Sequence, residues 1–346
     1  MDLGKRNIVG LLPQDLFSWF EERGEPAYRA RQVALWLYQR GVSCFEDMTD
    51  LPVKLRRALA ESFQVGELHI KERLRSQDGA EKFLLTLHDG NAVEEVLIPH
   101  RGRNTLCVSS QVGCPVGCPF CATGRTGFKR NLNFQEIVEE VWLVERERRL
   151  KVENLVFMGM GEPLLNYDHF SKALRVINAR EGLRIGSRRI TVSTVGVPGA
   201  IVQLGRDFKE VNLAVSLHAP DNDLRSLLVP LNRIYPLSSV LRSVREYITL
   251  TNRRVTVEYT LWQDVNDSAK DAHALARLLV EMLVHVNIIP GNQVAGSSFR
   301  PASSERIERF VRILKENRIN VTVRKSRGRG IQASCGELYR IQEGKT

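Results

Sequence analysis

A chain of 346 residues, 43% hydrophobic and 26% charged, has the composition of a folded globular protein with one large domain and room for a smaller one, which excludes a disordered chain. No stretch approaches the ~20 apolar residues of a membrane span, and the opening Met-Asp-Leu-Gly-Lys-Arg lacks the apolar core of a signal peptide, so the expected location is cytoplasmic. Six cysteines are too few for a disulfide scaffold, and the excess of ten basic over acidic residues suits a polyanionic partner.

In chain order, residues 12–22, 28–40 and 53–63 carry apolar side chains at helical spacing, with Pro26 and Pro52 near two of the starts. They predict a small helical accessory domain over 1–65. Strand-like runs at 82–87 and 94–98, split by Asp89-Gly90-Asn91, predict a hairpin in a β-rich extension over 66–103. From about Asn104 onward, apolar strand-like runs (105–109, 154–158, 189–194, 211–217, 255–261, 285–289 and 320–324) alternate with largely helical patterns at 134–149, 168–181, 198–204, 237–250, 269–283 and 303–317. Apolar strands separated by helices mean a parallel sheet with helices outside, and six or so such units predict an α/β barrel or partial barrel over 104–346. In such barrels the active site lies at the C-terminal ends of the strands.

The most informative motif is Cys114-Pro-Val-Gly-Cys118-Pro-Phe-Cys121. Three thiolates on one loop can hold three corners of an iron-sulfur cube and leave one iron open to a ligand that is not protein. A closed zinc site needs a fourth ligand, yet no second CxxC follows, and Cys335 and His169 are both remote in sequence. Zinc and an inert buried trio remain the alternative readings of the spacing alone. Basic residues gather at Arg125, Lys129 and Arg130, at Arg188 and Arg189, and at Arg324, Lys325, Arg327 and Arg329, so the charge is expected to collect around the chemistry.

Polar groups recur at the expected strand ends. Residues 155–158 run into Gly159-Met-Gly161-Glu162-Pro163, where the glycines would let the backbone approach a ligand and Glu162 would place a carboxylate. Ser193-Thr194-Val-Gly196, Ser216-Leu217-His218 and Asn292 follow at later tips. Each alone is more often turn chemistry or a satisfied core group, but several in succession point to a site.

The cysteine loop with the downstream Gly-Glu-Pro strand resembles the radical S-adenosylmethionine superfamily. More closely, Cys107-Val-Ser-Ser-Gln-Val-Gly-Cys114, the Met-Gly-Met-Gly-Glu-Pro of 158–163, Arg189-Ile-Thr-Val-Ser-Thr-Val-Gly196 and Ala333-Ser-Cys335-Gly resemble the RlmN/Cfr family of RNA adenine methyltransferases. The likeness extends to the helical module, in Pro26-Ala-Tyr-Arg-Ala-Arg and Phe45-Glu-Asp-Met-Thr-Asp-Leu-Pro52.

The resemblance implies a four-iron, four-sulfur cluster on Cys114, Cys118 and Cys121. It implies S-adenosylmethionine contacts at Gly161, Glu162, Ser193, Ser216, Leu217, His218 and Asn292. It implies that Cys335 accepts a methyl group from a first S-adenosylmethionine and that a radical from a second activates it for addition to the adenine ring. Glu94 matches the base that takes the ring proton, and Cys107 the thiol that releases the product as a disulfide forms. Without the resemblance, Glu94 reads as a solvated strand carboxylate, and Cys107, Cys335 and Cys44 as small buried hydrophobes; Cys44 matches no functional position.

The implied reaction is methylation of the C2 carbon of an adenine in 23S ribosomal RNA, with transfer RNA as a second substrate, a flavodoxin-type electron donor and a monomeric enzyme. Attack on C8, as in Cfr, is the alternative within the family, and a radical enzyme acting on a non-RNA substrate or a zinc-stabilised RNA-binding module are the alternatives outside it. The chain departs from the family pattern before Cys335, where Arg329, Gly330 and Gln332 replace acidic residues, and after Asn292, where it is less proline-rich.

Overall fold

The computed structural model describes residues 5–293, 297–324, 328–331 and 336–338. The N-terminal module is built on three helices: α1 (Pro13–Glu21), α2 (Tyr28–Ala34, continued by a wider π turn over Leu35–Gln39) and α3 (Val53–Ser62). Leu16, Phe20, Leu37, Leu55 and Leu59 are buried between them, as the helical spacing requires.

A ten-stranded sheet runs through the rest of the chain in sequence order. Its strands are β1 (His69–Arg75), β2 (Glu81–Thr86), β3 (Ala92–His100), β4 (Arg103–Cys107), β5 (Asn154–Phe157), β6 (Ile190–Thr194), β7 (Asn212–Ser216), β8 (Val255–Leu261), β9 (Val284–Pro290) and β10 (Val321–Val323). From β4 to β10 every pairing is parallel, whereas β1, β2 and β3 add antiparallel strands at the β4 edge. The crossover helices are α4 (Phe134–Arg148), α5 (Tyr167–Asn178), α6 (Pro198–Asp207), α7 (Leu237–Thr251), α8 (Ala269–Leu279) and α9 (Ser304–Glu316). Six strand-helix units lead into a seventh parallel strand, and β10 and β1 form the two edges of an open sheet.

Local chemistry sets these boundaries. The side chain of Asn133 accepts the N–H of Glu136 at 2.9 Å while Glu136 accepts that of Asn133 at 2.8 Å, a reciprocal cap that starts α4, and Arg149 ends it in the left-handed conformation. Ser268 and Ser303 cap α8 and α9. The face of α4 turned toward the N-terminal module carries the docking groups: Trp142 Nε1 donates to the carbonyl of Leu37 at 2.9 Å, and Glu139 accepts from Asn7 at 2.7 Å and from the backbone of Leu68 at 2.7 Å. The module is therefore fastened to the first crossover helix of the barrel.

The barrel strands alternate. Leu155, Phe157, Ile190, Val192, Leu213 and Val215 are buried on the helix-covered face, while Val156, Thr191, Ser193, Ser216 and Asn287 on the other face are half-buried. The inner face is thus left open to a ligand.

Candidate active site

The cysteine loop is suspended from a short antiparallel pair, Gln111–Gly113 with Phe128–Asn131, that projects after β4. Gly113 has φ +75°, and a Cβ there would fall 1.9 Å from the carbonyl oxygen of Gly127, so only glycine closes the base of the loop. Cys114 donates its N–H to that carbonyl at 3.1 Å, and Cys121 donates to the carbonyl of Cys118 at 3.1 Å. Val116, Cys118 and Phe120 pack with Ala219, Leu228, Val229 and Trp262 in a second small apolar cluster that fixes the loop over the strand ends. Phe120 meets the ring of His218 edge-on, 5.2 Å between centroids.

Below the loop lies a cavity with ≈ 980 Å³ of empty space, part of it open to solvent. All three loop cysteines line it, with Gly161 and Glu162 after β5, Ser193 on β6, Ser216 and His218 at the end of β7, and Asn292 after β9. Nine of the predicted cofactor residues therefore share one cavity. Leu217 is in the core instead: its side chain is fully buried, and its backbone donates to Glu258 at 3.0 Å and accepts from Arg225 at 3.1 Å.

The glycines serve a nearer purpose than contact with a ligand. A Cβ on Gly159 would lie 2.5 Å from the carbonyl oxygen of Val108, and one on Gly161, at φ +101°, 2.6 Å from Cβ of Gln111. Both allow the tip of β5 to press against the segment that leads into the cysteine loop. Glu162 reaches one further tip: Oε2 accepts the N–H of Val195, just after β6, at 2.8 Å, while Oε1 accepts that of Leu164, in its own segment, at 3.0 Å. Burial pushes its carboxyl up to about 7, against the pull of those hydrogen bonds.

Burial also pushes the Cys114 thiol up to about 12, and Cys118 well above the usual thiol range, with Cys121 and Glu162 adding repulsion. Thiolates in such a place need a cationic centre. This donor set fits an iron-sulfur cluster, whose irons would ionise and neutralise all three. Among the described residues no three His, Cys, Asp or Glu side chains converge as the ligands of a single metal ion.

Glu94 and Cys107 do not line this cavity, but the strand register puts them on its face of the sheet. Val96 is opposite Cys107, Cys107 opposite Val156, Val156 opposite Thr191, Ser193 opposite Ala214 and Ser216 opposite Glu258. Opposed residues share a face and so do residues two apart, which puts Glu94 and Cys107 with the cavity residues Met158, Ser193, Ser216 and Glu258.

Cys335 lies outside the described residues, as do Lys325, Arg327 and Gln332. Of the described residues on either side of it in sequence, some reach the site and one reaches the far edge of the sheet. Arg324 lines the cavity at the β10 edge and bonds its N–H to Ile288 at 2.8 Å; Gly328 donates to Asp78, in the β1–β2 turn of the other edge, at 2.9 Å. Gly336 also lines the cavity and accepts the N–H of Ala122 at 2.8 Å, and the carbonyl of Leu338 accepts from Thr123 at 2.6 Å.

Composition and spacing did not reveal Arg225. It is 1% exposed, donates to the carbonyls of Leu217 at 3.1 Å and Val195 and to Asn232 at 2.8 Å, and so ties the tips of β6 and β7 beneath the loop. The expectation that basic residues gather at the chemistry fails for Arg188 and Arg189. They precede β6 and stand at the opposite end of the strand from the site; Arg188 pairs with Glu210 at 2.6 Å and Arg189 lines a separate cleft. Arg130 is engaged with Asp89 at 2.6 Å and Glu136 at 2.8 Å.

A cysteine loop over the C-terminal ends of a partial parallel barrel, together with a match to the radical SAM superfamily model over residues 108–276, defines a radical S-adenosylmethionine enzyme, whose cofactors are a four-iron, four-sulfur cluster and S-adenosylmethionine. Residues 6–65 match the ribosomal RNA large subunit methyltransferase N-terminal domain. Among curated relatives, a probable dual-specificity RNA methyltransferase RlmN of Thermotoga neapolitana is 45% identical over 96% of this chain and 97% of its own, and one of Gloeobacter violaceus 46% identical over 96% and 95%. The crystal structure of a radical SAM methyltransferase from Sphaerobacter thermophilus superposes with a TM-score of 0.93 at 44% identity, covering 96% of this chain and 99% of that one. The chain belongs to the RlmN family of RNA methyltransferases.

Proposed function

We propose that this enzyme methylates the C2 carbon of an adenine in 23S ribosomal RNA and, as the dual specificity in the names of its relatives suggests, an adenine in transfer RNA. Cys114, Cys118 and Cys121 would hold the cluster, and Gly161, Glu162, Ser193, Ser216, His218 and Asn292 would hold S-adenosylmethionine, with Leu217 packed in the core behind them. Bound together, these two supply a 5′-deoxyadenosyl radical, and two molecules of S-adenosylmethionine are consumed per methyl transferred.

The chain's own groups handle the rest. Cys335 would carry the transferred carbon as an S-methyl thioether; loss of one hydrogen atom from that methyl to the radical would let the carbon bond to the ring, and as an oxygen of Glu94 takes the ring proton the adduct's unpaired electron would pass to a one-electron acceptor. Cys107 Sγ would then attack the Cys335 sulfur: the sulfur-carbon bond breaks with its electron pair on carbon, which is protonated to methyl, and the two sulfurs remain as a disulfide for an external reductant to open. The observation that carries this reading is the register, which gives Glu94 and Cys107 the same sheet face as the cavity under the cysteine loop.

This reading calls for a flavodoxin-type donor and a cytoplasmic, monomeric enzyme. Its parts would be a helical accessory domain over 1–65, an extension carrying Glu94 over 66–103 and the barrel with its Cys335 loop over 104–346. Among the described residues no helix is long and apolar enough to cross a membrane. The deciding experiment is anaerobic reaction with unmodified ribosomal RNA fragments and transfer RNA, followed by mass spectrometry of the digested nucleosides. 2-Methyladenosine is expected; 8-methyladenosine, or turnover that does not depend on RNA, would overturn the assignment.

A further inference from the structure

The proposed base is almost entirely removed from water: Glu94 is 1% exposed. A carboxylate so placed takes up a proton and ceases to be a base unless a cation or several donors stand beside it. Lys82, on β2, is 5% exposed, and its Nζ lies 3.1 Å from Oε1 of Glu94. The register explains the approach. Leu84 is opposite Glu94 and Lys82 is opposite Val96, so the lysine reaches diagonally across the pair of strands. Cys107 continues the same row on the far side of Val96.

Among the described residues the other groups facing Glu94 are few in kind. Glu72 on β1 lies opposite Leu84 and shares a small cleft with Lys82 and Glu94. Cys107 faces it from β4, and the sulfur of Met160 accepts its backbone N–H at 3.4 Å. Glu95 is directed to the opposite face, toward Glu140 on α4. A second carboxylate would drive Glu94 toward its neutral form, and the ammonium of Lys82 opposes it.

We propose that Lys82 is a positioning residue for the methyl transfer: its ammonium keeps Glu94 ionised and aimed, so that the base is ready at neutral pH. The inference rests on Glu94 being the base. In the step it serves, the ring carbon-hydrogen bond breaks, the proton goes to a Glu94 oxygen, and the electron pair stays in the ring, whose unsaturation is restored as the adduct's unpaired electron passes to a one-electron acceptor. Lys82 gives up no proton and touches no substrate.

The test is the pH dependence of product release in anaerobic single turnovers of the full-length holoenzyme with an RNA hairpin, read as decay of the protein-RNA adduct on denaturing gels. Lys82→Met should release product about 10-fold more slowly at neutral pH and recover as pH rises, its profile displaced by about two units to alkaline pH. Lys82→Arg, which keeps the cation, should follow the wild-type profile. Glu94→Gln should retain the adduct at every pH. A Lys82→Met profile that is unshifted, or lowered equally at all pH, would overturn the role of Lys82 while leaving Glu94 in place; wild-type release by Glu94→Gln would instead remove the base reading itself. If Lys82→Met is insoluble, Lys82→Gln carries the same expectation. An infrared titration of the carboxylic-acid band, compared between Lys82→Met with and without Glu94→Gln, reads the protonation without turnover, and an ionised Glu94 in Lys82→Met at neutral pH would also refute the proposal.

Discussion

The backbone N–H of Thr260 donates to Nδ1 of His218 across 3.1 Å. A ring nitrogen that accepts cannot also carry the proton, so the imidazole holds it on Nε2. Burial, with Arg225 nearby, lowers the ring's pKa to about 3, which keeps it neutral through the working range. Nitrogen NMR of histidine-labelled protein should therefore show one ring fixed with Nδ1 unprotonated, unchanged on moving from pH 8 to pH 6. Appearance of an imidazolium at this position would contradict the assigned bond. His218 also has φ +61°, so His218→Ala should lose about 1–3 kcal/mol for the stranded amide and further stability for the backbone, whereas His218→Asn should retain more, asparagine being better suited to that conformation.

Arg225 should be among the least replaceable residues outside the cysteines. Arg225→Met removes the partners of the Leu217 and Val195 carbonyls and of the Asn232 side chain in a buried place, at about 1–3 kcal/mol for each orphaned group. A loss of about 3 kcal/mol or more in thermal or denaturant unfolding is expected, with Arg225→Lys in between. Burial holds the guanidinium down at about 10, still charged at neutral pH, and its charge favours ionisation of Cys118. A variant without that charge should therefore also retain less iron through anaerobic purification. Wild-type stability in Arg225→Met would show that the strand tips are held by other means.

Gly161→Ala tests whether the glycines serve the cysteine loop. The added Cβ would fall 2.6 Å from Cβ and 2.8 Å from N of Gln111, in a strand that ends one residue before Cys114, and φ +101° is strained for alanine. The side chain of Gln111 accepts the N–H of Glu162 at 2.8 Å, so the disturbance should reach both the loop and the carboxylate. A cost of about 1–3 kcal/mol is expected, accompanied by a lowered iron-to-protein ratio. Full iron retention would mean that the loop does not depend on this contact.

The barrel was legible because its strands and helices carry the expected periods: β8 spans 255–261 as its apolar run indicates, and α7 and α9 end within a residue of their patterns. The strand β1 was not. His-Ile-Lys-Glu-Arg-Leu-Arg has apolar residues only at Ile70 and Leu74, a helical interval, because an edge strand is protected by charge and a bulge between Ile70 and Glu72 breaks the alternation. The helix Asn222–Leu228 was hidden for another reason: its polar residues serve its cap and the buried Arg225 rather than an apolar stripe.

The cofactor side of the site could be read from spacing and strand-end position. Its electrostatic side could not. Lys82, Arg225, Glu95 and Glu140 resemble ordinary surface charges in the sequence, and only the cross-strand register and the packing of α4 show that all four are buried. Charge burial depends on tertiary contacts that carry no local period.

Glu95 on β3 and Glu140 on α4 give the last prediction. Both are 0% exposed, and each carboxyl is driven well above the usual range chiefly by desolvation, with the charge of Glu140 adding to the effect on Glu95 and that of Glu136 to the effect on Glu140. One oxygen of Glu140 is fixed by the N–H of Ser109 at 2.8 Å. Raised carboxyl values mean that the folded state keeps protons that the unfolded chain releases above its ordinary value of 4.5, so stability should fall as pH rises from there into the neutral range. Each retained proton contributes a slope of about 1.4 kcal/mol per pH unit. Glu95→Gln, which keeps the shape without the proton, should therefore gain stability over wild type at pH 8 and match it more closely at pH 5, in denaturant titrations at the two pH values. A variant that is equally displaced at both would show that the pair is ionised in the fold and held by a cation.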